Sequence, residues 1–174
     1  MPFRISTDRL ELRPFEVSDE ERVHSVYSDP EVMRHVGEGP VADIATTRAM
    51  IEDYIAHQRE HGFSFWALIE SASGALIGDA GLYLLEGSGP EVELGFTLGR
   101  RWWGRGYATE AGEASLAFAF DEIRLAEVVA VADLANAASI RVLEKLGMAR
   151  TGTRIAYQRE HAFHRITARA WRTR

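Results

Sequence analysis

The chain has 174 residues, 46% of them hydrophobic and 26% charged, with no cysteine. Length and apolar content predict one domain, residues 1–174, whose core needs no disulfide or metal staple; the missing thiol excludes zinc–thiolate sites, iron–sulfur clusters and a cysteine nucleophile. Twenty basic and 26 acidic groups leave a net charge of −6, which argues against nucleic acid as the main partner, and no run of about 18 apolar residues marks a membrane span. The opening MPFRISTDRLELRPF has no apolar core of signal-peptide type, so a cytoplasmic location is expected.

Residues 9–14 alternate as a short strand. Ser18 with Glu21 reads as a capping box that opens a helix to residue 27. Asp29 followed by Pro30 reads as an N-cap with proline in the first turn, and Gly37 as the stop. Residues 41–61 carry Ile44, Met50, Ile51, Tyr54 and Ile55 at helical spacing and end before Gly62. Residues 63–70 and 75–85 read as strands joined by a turn at 71–74, and 87–90 is a further turn. Residues 91–98 are a strand, 99–106 a loop of glycine and arginine, and 107–120 a helix that buries Ala108, Ala111, Leu116 and Phe120.

An apolar strand follows at 127–133. Asn136 caps a helix that runs to Leu146 and stops at Gly147. Residues 149–158 and 161–171 read as the last two strands. This order predicts an α/β class with a mixed sheet and helices on both faces. The 127–133 strand is expected to lie parallel to 91–98 through a right-handed crossover.

Charge divides unevenly along the chain. Residues 1–90 carry seven basic and 16 acidic groups, and residues 91–174 carry 13 basic and ten acidic groups. An anionic ligand is therefore sought in the second half. Within it, the run Arg101-Trp102-Trp103-Gly104-Arg105-Gly106 stands between a strand and a helix. Glycines there let the backbone approach a ligand and turn several N–H groups to one point. The next helix adds its unpaired N–H groups and the positive end of its dipole, which together suit a diphosphate. The loop lacks the third glycine and the early position of a dinucleotide fingerprint, and no GK[ST] follows. On these residues alone, a plain strand-to-helix turn stays open beside the phosphate reading.

The R-x-x-G-x-G run followed by Y-A-T-E-A resembles the acetyl-CoA signature of the GCN5-related N-acetyltransferase (GNAT) superfamily. TDRLELRP at 7–14, SDPEVMR at 28–34, VELGF at 92–96, WGRGYATEA at 103–111 and NAASIRVLEKLGMA at 136–149 resemble its RimJ/RimL-like branch. The resemblance runs from about residue 7 to 171 and implies a central, mostly antiparallel seven-stranded sheet. Its fourth and fifth strands, here 91–98 and 127–133, would be parallel and splay apart around acetyl-CoA.

Residue by residue, the resemblance implies a pyrophosphate on the backbone of Arg101, Trp102, Trp103, Gly104, Arg105 and Gly106, continued by Tyr107 and Ala108. The side chains of Arg100, Arg101 and Arg105 would screen its charge. The pantetheine arm would pair with the strand edge at Phe96, Thr97 and Leu98, with the Leu98 N–H polarising the thioester carbonyl. Asn136 would contact the cofactor arm, and Ser139 would protonate the leaving thiolate, since the position one turn further on, where many relatives have tyrosine, is Leu143. Read without the resemblance, the same pair is an N-cap and a first-turn serine.

The acceptor amine must lose a proton before it attacks, and Glu93, on the strand beside the thioester, is the first candidate base. His35, Glu38, Tyr157 and His164 are secondary candidates. Trp66, Trp102 and Trp103 read as packing groups. With no cysteine the amine attacks directly in a ternary complex. The implied function is acetyl transfer to a primary amine of a protein N-terminus, an amino acid, a polyamine or an amino-antibiotic. A catalytically silent acyl-CoA-binding module on the same fold and a nucleotide binder are the alternatives. The acidic first half points to a cationic acceptor. No metal is expected, and a homodimer is common in the branch although no residue here specifies one.

Overall fold

The computed structural model describes residues 2–174. Eight strands form one sheet: β1 (Ile5–Ser6), β2 (Leu10–Arg13), β3 (Phe65–Glu70), β4 (Leu76–Leu84), β5 (Val92–Leu98), β6 (Glu127–Asp133), β7 (Ala149–Ala156) and β8 (Arg159–Thr167). Their order is β1-β2-β3-β4-β5-β6-β8-β7. All neighbours run antiparallel except β5 and β6, which are parallel and in register only at Glu93 and Val129. That single pair is the splayed junction expected between 91–98 and 127–133.

Helices α1 (Glu20–Tyr27), α2 (Pro30–Met33) and α3 (Ile44–His61) cover one face, and α4 (Tyr107–Ala117) and α5 (Ala137–Lys145) the other. The strand residues divide between the two faces with period two. Trp66, Leu68, Leu82, Leu94, Leu98, Val128, Ala130 and Ile166 pack with Leu116, Phe120 and Leu143 under α4 and α5. Ala67 and Ile69 pack with Val23, Tyr27, Met33 and Ile51 under the first three helices. On β5 the even-numbered side chains thus face α4, and Glu93, Gly95 and Thr97 face α1 and α3.

Helix boundaries follow local chemistry. Asp43 accepts from the Thr46 N–H at 2.8 Å to open α3, and Gly62 closes it at φ +79. The Ser18–Glu21 capping box does not form. Asp19, fully buried, precedes α1 instead, held by Arg13 at 2.8 and 2.9 Å and by the Glu16 N–H at 2.9 Å. A buried ion pair overrides the weaker serine cap there. The last strand ends at Thr167 rather than 171, because its hydroxyl accepts from the Ala170 N–H and starts α6 (Ala168–Arg172). The helix at 107–120 finishes as a π turn at Phe118–Glu122. The sheet gains β1, a two-residue strand too short for period-two alternation to signal. Among the described residues no helix is long and apolar enough to cross a membrane.

Candidate active site

The splayed junction has a definite chemistry. Residues of an antiparallel ladder alternate between pairs that bond to each other and pairs that turn their N–H and C=O outward. Gly99 donates to the Ile77 carbonyl at 2.8 Å, so this is a bonded pair. By the register of β4 on β5, the backbone groups of Phe96 and Leu98 therefore point away from β4. They face the wedge where β6 has already diverged. The Trp103 indole N–H donates to the Leu98 carbonyl at 2.8 Å, which closes that end of the wedge.

Beyond Leu98 the chain makes a short 3-10 turn, Arg100–Trp102, and then the glycine loop. Gly104 and Gly106 hold φ of +70 and +79, which side-chain-bearing residues adopt at a cost. A Cβ on Gly104 would meet nothing within 4 Å, so the backbone there is open to a ligand. Gly106 is the N-cap of α4 and offers no capping side chain. The first N–H groups of that helix are left for an anion. Arg9 pins the loop by donating to the Arg105 carbonyl at 2.9 Å and lies over the Tyr107 ring at 4.4 Å. Tyr107 is buried and donates to Glu70 at 2.6 Å, and Ala108 is half-buried behind it.

The three arginines are not equivalent. Arg100 is taken up by Asp29 at 3.0 Å. Arg101 and Arg105 lie over the Trp102 ring at 5.0 and 5.3 Å, at the mouth of the loop. Arg101 and Arg105 make no ion pair among the described residues.

A cavity of about 640 Å³ opens at the wedge, lined by α1 and α3 from one face of the sheet and by the start of α5 from the other. It brings together Glu93, Phe96, Thr97, Asn136 and Ser139, residues up to 46 positions apart in sequence. Asn136 caps α5 with its oxygen, accepting from the Ser139 N–H at 3.2 Å, which leaves its NH₂ free for another partner. Glu93 is 5% exposed. Burial pushes its carboxyl up to about 7, and a hydrogen bond from the Tyr157 hydroxyl opposes that shift.

Tyr157 is itself held from two sides. Its hydroxyl accepts from the Glu86 N–H at 3.1 Å, and its own N–H donates to the Glu86 carboxylate at 2.7 Å. Both residues sit in the left-handed region, at φ 49 and 56. For a residue with a side chain that costs roughly 1 kcal/mol or more, and such strain collects at functional sites. Tyr157 and Gln158 turn β7 into β8 without the Asn-Gly signal that would have announced the turn.

The rim is polar. His35 and Arg159 each approach Asp133 at 3.5 Å. His164 lies elsewhere, fully buried on the α4 and α5 side with both ring nitrogens unpartnered, so it is not brought to the cavity. Trp66 is core, donating to Gln58 at 2.7 Å.

One cavity residue has no signal in the sequence. Asp79 is 4% exposed, lines the cavity and accepts from the Tyr27 hydroxyl at 2.6 Å. Burial pushes its carboxyl up to about 7. Within residues 75–85 it reads as one polar position in an apolar strand, and only the facing Tyr27, 52 positions away, reveals its environment.

The model of the acetyltransferase (GNAT) domain matches residues 9–149. The chain is 33% identical over 147 residues to the uncharacterized protein YkkB of Bacillus subtilis, covering 83% of this chain and 84% of that one. It is 30% identical over 148 residues to the uncharacterized N-acetyltransferase YnaD of the same organism, covering 85% and 84%. Among solved structures, a GNAT-family acetyltransferase from Bacillus anthracis superposes with a TM-score of 0.82 at 27% identity, covering 96% of this chain and 99% of that one.

Proposed function

The chain belongs to the GNAT acetyltransferase family and is an acyltransferase, and from that premise we propose that it moves the acetyl group of acetyl-CoA to a cationic primary amine by direct attack. The observation that carries this reading is Glu93, a buried carboxyl tuned to about 7 beside an open backbone wedge. A base poised near the working pH is what proton removal from an amine requires. The RimJ/RimL-like assignment rests on the sequence motifs.

The diphosphate of the donor would lie on the N–H groups of Arg101–Gly106 and the start of α4, with Arg101 and Arg105 beside it. The pantetheine arm would pair with the outward backbone groups of β5, and the free NH₂ of Asn136 would reach it from α5. Spacing along β5 favours the Phe96 N–H over that of Leu98 for the thioester. Extended chain advances roughly 3.3 Å per residue, so the Leu98 N–H stands roughly 16 Å along β5 from Glu93 and the Phe96 N–H roughly 10 Å. A glutamate side chain and one water span the second distance and not the first. The Phe96 N–H is therefore the oxyanion donor, and that of Leu98 holds the pantetheine arm.

The acceptor nitrogen gives its proton to Glu93 through water and attacks the thioester carbonyl. A C–N bond forms, the oxyanion rests on the Phe96 N–H, and the C–S bond then breaks. As the intermediate collapses the nitrogen loses its second proton to solvent, and the departing thiolate is protonated through the Ser139 hydroxyl, which takes a proton back from solvent. Products are the N-acetylated amine and free CoA thiol. A cationic acceptor is supported by the lining itself: Glu38, Asp53, Asp79, Glu93 and Asp133 face the cavity, and no lysine or arginine does.

Calorimetric titration with acetyl-CoA, with NADPH as control, tests the donor half. Micromolar binding of acetyl-CoA alone is expected, followed by thiol release when cationic amines are added. Absence of acetyl-CoA binding overturns the reading. Binding without release on any amine would instead make the protein a silent acyl-CoA-binding module.

A further inference from the structure

Asp79 takes no part in the proton transfers above, yet it is a carboxyl only 4% exposed in the cavity. It sits on β4 under α1, and one of its oxygens, Oδ2, accepts from Tyr27. Its Oδ1 has no hydrogen bond among the described residues, and it is not among the fully enclosed polar atoms that lack a partner. That oxygen opens to the cavity. A buried carboxyl with half of its acceptor capacity unused is a group that lacks a donor.

Its surroundings describe that donor. Tyr54 meets the Phe65 ring edge-on at 5.7 Å, and Phe65 stacks on Tyr83 at 5.1 Å. Asp79, Phe65, Gly95 and Glu93 line the same cavity. A Cβ on Gly95 would stand 2.7 Å from the Phe65 ring, so the ring covers the glycine. The cavity thus has an aromatic lining of Tyr54, Phe65 and Tyr83 and holds both carboxyls, Asp79 and Glu93. Aromatic faces with a desolvated carboxylate recognise an alkylammonium group.

We propose that Asp79 is a second cation subsite, so that the acceptor is an amine carrying a second positive nitrogen: one nitrogen seats on Asp79 and the other reacts beside Glu93. This rests on the acetyl-transfer reading. Asp79 pairs with Thr97, four residues from Glu93 along β5, which sets the backbone spacing of the two carboxyls at roughly 13 Å. Side chains leaning toward each other shorten that span, so a flexible aliphatic diamine is the fitting class. An ammonium against Oδ1 would also favour the ionised carboxylate that burial alone disfavours.

The test compares 1,4-diaminobutane with 4-aminobutan-1-ol, which has the same length and one charge fewer, and with n-butylamine. Binding to the protein–CoA complex is read by calorimetry and turnover by thiol release. Wild type should prefer the diamine at least tenfold over both single amines, and Asp79→Asn should erase that preference while acetyl-CoA affinity stays near wild type. Equal binding of the three amines by wild type, or a preference that survives in Asp79→Asn, overturns the subsite. The wild-type comparison stands even if Asp79→Asn fails to fold. Loss of acetyl-CoA binding in wild type would sink the donor reading itself, and retained acetyl-CoA binding without a diamine preference would sink only this inference.

Discussion

The glycine loop and the cavity floor sit side by side and work by opposite means. The loop, Arg101–Gly106 with the start of α4, presents backbone N–H groups at an exposed surface, shaped by two glycines in the left-handed region. The floor, β4 with β5, presents two side-chain carboxyls that are almost fully buried. Backbone donors need no tuning, because their charge does not depend on pH. Buried carboxyls are tuned by every neighbour. One region therefore grips by geometry, and the other acts by the cost of burying charge.

A reciprocal pair of substitutions separates the two most strongly. Gly104→Glu should lower acetyl-CoA affinity more than a hundredfold, since a carboxylate about 4 Å from a phosphate charge costs about 4 kcal/mol at a surface dielectric. Glu93→Gln should leave that affinity within twofold and lower kcat by about a hundredfold or more. Calorimetry and thiol-release kinetics on both variants would show the crossing pattern. If both variants lost both properties, the division between grip and chemistry would be wrong.

Stability should divide along the same line. Glu93 titrates at about 7 when folded, against an ordinary 4.5. A carboxyl raised in this way stabilises the fold fully below pH 4.5, and that stability is lost as pH rises toward 7. The full shift corresponds to at most about 3 kcal/mol. Glu93→Gln should therefore melt higher than wild type at pH 8, with the gap closing toward pH 5. A Gly104→Glu protein should show no such pH-dependent gain. Thermal melts across this range would settle the point, and a constant difference would remove burial as the cause of the raised carboxyl.

This difference also explains what the sequence disclosed. The loop is contiguous, so Gly104, Gly106 and the helix after them were legible as one motif. The succession of strands and helices and the parallel pair followed from periodicity, turn residues and crossover handedness, whereas the splay came only from the family resemblance. The floor is assembled from β4, β5, α1 and the β7–β8 turn, and no local pattern ties Asp79 to Tyr27 or Glu86 to Tyr157. Glu93 was legible as a candidate because the resemblance sets the thioester beside its strand, but its burial was not. The Ser18 cap failed for the same reason, since nothing near Asp19 in sequence says that it will be buried against Arg13.

Between the two regions stands Ser139, on α5 beside Asn136. Ser139→Ala should lower kcat about tenfold with acetyl-CoA affinity unchanged, because water can replace a hydroxyl that only relays a proton. Equal kcat would remove Ser139 from the chemistry and leave Asn136 as the one functional residue of that turn.

The smallest effect is the most specific. The Tyr157 hydroxyl donates to Glu93 and so favours its ionised form, against the burial that raises it. Tyr157→Phe removes the donor and leaves the burial, so Glu93 should titrate higher. Glu93 acts as the base only when ionised, so kcat should rise with pH through about 7 in wild type. The same limb should move upward by up to about one pH unit in Tyr157→Phe. At pH 9 the two enzymes should then turn over alike, since both hold an ionised Glu93. A tyrosine that merely packed against the site would lower kcat by the same factor at every pH. Parallel profiles would thus reduce Tyr157 to a wall, whereas a shifted limb with a shared plateau would show that the strained β7–β8 turn exists to set the charge on Glu93.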